Sequence, residues 1–99
     1  MGILRRNEVL DVLRHEKSEL ANRYGVITLG VFGSVARDEA REESDVDVVV
    51  TMERPDLFAM VHIKEELEAA LHRKVDIIQY RDKMNPFLKK RIDQEAVYV

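Results

Sequence analysis

Two runs rich in β-branched and aromatic residues, Val26–Phe32 and residues 45–50, are joined by a connection that is short for a helical crossover. Parallel neighbours need such a crossover, generally a helix, to return the chain to the starting end of the sheet. The segment between these runs is interrupted at Gly33 and is polar at Arg41, Glu42, Glu43 and Ser44. A mixed sheet is therefore expected rather than a purely parallel one. Val26–Phe32 reads as a strand buried on both faces. Residues 34–39 read as a short helix and residues 41–44 as a polar loop. Residues 45–50, Asp-Val-Asp-Val-Val-Val, read as a second strand whose start alternates polar and apolar. That alternation puts the two aspartates on one face.

The remaining elements follow from helical and strand periodicity. Leu10, Leu13, Leu20, Ala21 and Tyr24 recur at helical spacing over residues 7–24, with Asn7 as the expected N-cap and Gly25 as the stop. Pro55-Asp56 opens a helix with Leu57, Met60, Val61, Leu67, Ala70 and Leu71 on its expected apolar stripe. Val75-Asp76-Ile77-Ile78 reads as a third strand. Pro86 begins an amphipathic segment through residue 95, and residues 97–99 add a short terminal strand. The fold class is α/β (α+β), a small mixed sheet flanked by helices. Residues 1–99 read as one domain, because a chain of 99 residues is below the size at which cores divide.

Composition narrows the function. No apolar run approaches the roughly 20 residues that span a bilayer, and residues 1–8 lack the apolar stretch of a secretory leader. There is no cysteine, which removes disulfides and thiolate metal sites and fits the cytoplasm. The formal charge is −3 and the basic residues are scattered, so a footprint for long DNA or RNA is not expected. No segment is left over for a separate acceptor-binding domain, so a transferase of this kind needs its acceptor presented by another molecule.

The chemistry-bearing residues are Gly33-Ser34 and, after ten intervening residues, Asp45-Val46-Asp47. A glycine after a buried strand allows a turn that a Cβ would hinder and lets backbone amides approach a ligand. Ser34 then stands at a helix start, where free amides and the helix dipole favour phosphate oxygens. Arg37, one turn on, offers a planar fork to the same anion. Asp45 and Asp47 project side by side, roughly 7 Å apart along the strand, and magnesium is usually held by one or two carboxylates plus substrate phosphates. Asp76, on a strand expected near the second, is the candidate third carboxylate and base.

Phe32-Gly33-Ser34-Val35-Ala36-Arg37 followed by Ser44-Asp45-Val46-Asp47-Val48-Val49-Val50 resembles the signature of the polymerase-beta-type nucleotidyltransferases. The likeness is to the minimal (MNT) branch and runs on through Val75-Asp76-Ile77-Ile78 to Arg91-Ile92-Asp93-Gln94-Glu95-Ala96. It implies the antitoxin half of a HEPN–MNT toxin–antitoxin pair, in which the MNT protein transfers AMP from ATP to a tyrosine of its HEPN ribonuclease partner. It also implies nucleotide binding by Gly33, Ser34, Arg37 and Ser44, with Asp45, Asp47 and Asp76 as magnesium ligands and catalytic acids. One departure stands out: Asp38 follows Arg37 where glycine is common, which sets a negative side chain near the expected phosphate cradle.

Other residues carry blander expectations. His15, His62 and His72 show no metal-ligand spacing. Met52, Met60 and Met84 are expected to fill core gaps, Tyr24, Tyr80 and Tyr98 to pack, and Lys89-Lys90-Arg91 to form a solvated helix face. Two rival functions share the sequence: a toxin-neutralising binding module with a vestigial or regulatory nucleotide site, and a nucleotidyltransferase acting on a small molecule.

Overall fold

The computed structural model describes residues 4–99; residues 1–3, and with them part of the stretch read as lacking a leader, lie outside the described residues. Along the chain, α1 (Arg6–Tyr24), β1 (Val26–Phe32), α2 (Gly33–Ala36), β2 (Val46–Met52), α3 (Leu57–Leu71), β3 (Val75–Gln79), α4 (Pro86–Glu95) and β4 (Val97–Tyr98) follow one another. The sheet is mixed, as expected, in the order β3-β2-β1-β4. β1 runs antiparallel to β2 and β4, and β3 runs parallel to β2 after the α3 crossover. The short β1–β2 connection joins antiparallel neighbours, as the mixed-sheet reading expects.

Strand alternation divides the apolar residues between two unequal cores. On one face Leu29, Val31, Val46, Val48, Val50 and Val75 pack against Leu10, Leu13 and Leu20 of α1 and Ile63, Leu67 and Leu71 of α3. On the other, Phe32 and Val49 meet Ile92 of α4, with Ile78, Tyr80 and Leu88 around them. Two helices cover the first face and one short helix the second. Asp47 precedes Val49 by two residues, and Asp76 precedes Ile78 by two, so both carboxylates lie on the thinly covered face.

Several local expectations shift. Asn7 lies inside α1, and Arg5 occupies the N-cap position without a side-chain cap. Asp38, from the α2–β2 connection, instead accepts the Arg6 amide at 2.9 Å, while the Arg6 guanidinium donates to the Ala36 carbonyl at 3.1 Å. Gly25 ends α1 in the left-handed region, as expected. β1 is not buried throughout: Ile27 is 57% exposed. α3 is capped by Asp56 and buries Ala59, Ile63, Leu67 and Leu71. Leu57 and Val61, expected on the buried stripe, are 84% and 54% exposed because the sheet meets the helix on the Ala59–Ile63 side. Among the described residues no helix is long and apolar enough to cross a membrane.

Candidate active site

The turn after β1 brings the expected residues to the sheet's open face. Gly33 has φ +72°, a conformation that side chains rarely adopt. A Cβ built there would press into the Asp47 carboxylate, within contact distance of Oδ2 and 3.2 Å from Cγ. Glycine is thus required twice, for the backbone conformation and for the close approach of Asp47. α2 is a single turn, shorter than the 34–39 reading, and Arg37 closes it by donating its amide to the Gly33 carbonyl at 3.1 Å.

Asp47 stands on β2 directly between Phe32 of β1 and Asp76 of β3 in the strand register. Asp45 precedes β2 and is exposed rather than lying within the strand. The segments around it are tied to the start of β3: the Val46 amide donates to the Lys74 carbonyl at 2.9 Å, and the Arg73 guanidinium donates to the carbonyls of Arg41 and Glu42. Asp47 is half-buried and Asp76 exposed. Burial pushes the Asp47 carboxyl above its ordinary value, and the charges of Asp76 and Asp45 push it the same way against the pull of Arg91 and Arg37. Carboxylates gathered like this favour a bound cation. Among the described residues no three acidic or histidine side chains form a ready-made metal cage. Magnesium rarely uses one, since substrate phosphates and water complete its shell.

The basic side of the site is partly engaged. Arg37 donates through Nε to Glu39 at 2.7 Å and through Nη1 to Glu95 at 2.9 Å, and the same Glu95 oxygen accepts the Gly33 amide at 3.1 Å. Ser34 is half-exposed at the start of α2. Ser44 does something more local: its hydroxyl accepts the Arg41 amide at 2.9 Å, closing the turn that leads into Asp45. Asp38 does not crowd the cradle. Its φ of 59° is one that glycine would take without strain, and its carboxylate is spent on the start of α1.

Glu95 and Arg91 are the residues that the motif reading left out of the site. Both sit on α4, four residues apart, and Ile92 between them is 1% exposed. Arg91 is exposed, as the solvated-face reading expects, and its guanidinium lies 5.8 Å from the centre of the Phe32 ring, near enough for its charge to act on Asp47. The signal was available in principle: a spacing of four on one helix aligns two side chains on a face, and here a buried isoleucine sits within that interval.

Residues 16–99 match the family described as polymerase beta, nucleotidyltransferase. The chain is 39% identical to the protein adenylyltransferase MntA of Thermococcus cleftensis, covering all of both chains. Among solved structures, one provisionally described as a minimal nucleotidyltransferase is 37% identical with a TM-score of 0.70, covering 89% of this chain and 93% of that one. A complex of tri-AMPylated Shewanella oneidensis HEPN toxin with MNT antitoxin contains a chain of the same fold, 20% identical at a TM-score of 0.60, covering 94% of this chain and 66% of that one. A glycine turn facing paired carboxylates on a mixed sheet, together with this match over most of its length, makes the chain a member of the polymerase beta nucleotidyltransferase family and an enzyme of nucleotidyl transfer.

Proposed function

We propose that this protein is a magnesium-dependent protein adenylyltransferase that moves AMP from ATP to a hydroxyl, a tyrosine in the first instance, of a HEPN-type toxin and so neutralises it. The observation that carries this reading is the register that sets Asp47 opposite Asp76 beside the Gly33 turn. The name of the Thermococcus relative and the AMPylated toxin in the Shewanella complex support the choice of acceptor.

The charge around the turn supports a need for cations. Asp45, Asp47, Asp76, Glu39 and Glu95 outnumber Arg37 and Arg91, so a bare triphosphate would meet net repulsion. Asp45, Asp47 and Asp76 are the residues that would hold magnesium, hard oxygen donors suited to a hard cation. A bound magnesium supplies neutralisation of the triphosphate and of charge developing in the transition state. The Ser34 hydroxyl and the free edge of Arg37 bind phosphate oxygens. Asp76, the more exposed of the paired acids, accepts the proton of the incoming hydroxyl. The acceptor oxygen bonds to the α-phosphorus, the α–β bridge breaks, and pyrophosphate leaves.

Incubating the protein with a HEPN-type toxin and α-labelled MgATP should label the toxin. Asp45→Ala and Asp47→Ala should each cut labelling at least 100-fold; full labelling by both variants would refute the assignment.

A further inference from the structure

We infer that Arg91 is a nucleotide-binding residue of this site, the cation on α4 that grips the β- and γ-phosphates of the triphosphate opposite the α2 turn. The inference rests on the nucleotidyl-transfer reading and adds to it a contact from an element outside the Gly-Ser and Asp-Val-Asp segments.

Three observations meet at this side chain. Its guanidinium is 5.8 Å from the centre of the Phe32 ring, and Phe32 is the strand partner of Asp47. That places a positive charge at the edge of the acidic site, close enough for the Asp47 carboxyl to feel it. α4 is anchored by Ile92, buried against Phe32 and Val49, and by Glu95, whose carboxylate holds both the Gly33 amide and Arg37. One turn of the same helix therefore ties Arg91 to the cradle that receives the triphosphate tail.

Availability separates the two arginines. Arg37 already spends two of its donors on Glu39 and Glu95. Among the described residues Arg91 makes no ion pair and no hydrogen bond, and its guanidinium faces the Phe32 ring. A guanidinium whose neighbour is an aromatic ring spends none of its five N–H donors on a hydrogen-bond acceptor, and a planar fork matches phosphate oxygens in pairs. The stacking is weak at an exposed position, so little holds the group back from an incoming anion. Its link along α4 to Glu95, which holds the Gly33 amide and Arg37, assigns it to the pyrophosphate leaving group rather than to the acceptor.

The test is equilibrium binding of ATP, pyrophosphate and AMP, each with magnesium, to the full chain and to Arg91→Ala, Arg91→Gln and Arg91→Lys, with thermal melting of each. Wild-type binding of MgATP comes first; its absence would count against the nucleotidyl-transfer reading itself, not specifically against Arg91. Given that binding, Arg91→Ala and Arg91→Gln should weaken ATP and pyrophosphate at least tenfold and leave AMP within twofold. Arg91→Lys, which keeps the charge but loses the fork, should recover part of the loss. Unchanged ATP affinity in Arg91→Ala, with or without a lower melting temperature, would reduce Arg91 to a packing residue on Phe32 and overturn the inference. An equal loss for AMP would overturn the assignment to the tail.

Discussion

Gly33 and Asp47 constrain each other. The glycine's left-handed backbone sets its missing side chain against the Asp47 carboxylate, so any larger residue displaces one or both. A non-glycine residue in that conformation costs roughly 1–2 kcal/mol before any clash is counted. Gly33→Ala is therefore expected to lower unfolding free energy by about 1–3 kcal/mol and to remove MgATP binding, checked by urea denaturation and by nucleotide titration. Asp47 carries a different cost. Its carboxyl is raised by burial and by Asp76 and Asp45. A carboxylate with a folded value above its unfolded one stabilises the fold only at low pH, and that contribution is lost as the pH rises through the folded value. At neutral pH the charged Asp47 is thus a liability to the metal-free protein. Asp47→Asn should raise its melting temperature at pH 7, and the gain should shrink as the pH is lowered toward the ordinary carboxylate range near about 4. A variant that melts below wild type at pH 7 would contradict this sign.

Among the elements, α1 depends most clearly on a distant residue. Its first amide is capped by Asp38, 32 positions away in sequence, and Asp38 holds that position at a φ of 59°. Losing a cap of this kind costs about 1 kcal/mol, and alanine at positive φ adds strain. Asp38→Ala should lower stability by about 1–2 kcal/mol. Asp38→Gly should lose less, because glycine takes the turn without strain. Neither should change MgATP affinity, since the carboxylate points to α1; a marked gain in affinity would mean that Asp38 does repel the triphosphate. α4 shows the same dependence in reverse. Its span, Pro86–Glu95, follows from Pro86 and its amphipathic pattern, and Asn85 caps it through its side chain. Its contribution to the site follows from where Ile92 seats it.

For the molecule as a whole, what was legible in the chain was whatever depends on neighbours in sequence. Periodicity located the long helices and the strands, the short β1–β2 connection favoured a mixed sheet, and the Gly-Ser and Asp-Val-Asp motifs marked the turn and its acids, although Asp45 falls just before β2 and not within it. Contacts between distant segments were not legible in that way. Leu57 and Val61 looked buried while Ala59 and Ile63 were left off the expected stripe, because period alone does not say which side of a helix meets the sheet. Asn7 looked like a cap, since a capping group supplied from Asp38 leaves no mark near residue 6. Arg91 and Glu95 looked like ordinary helix charges until β1, β2 and α4 were packed together. Local sequence sets backbone conformation and the direction of side chains along each element. Which charges face one another across the site is an outcome of packing, because that depends on how buried residues such as Phe32, Val49 and Ile92 fit together in three dimensions.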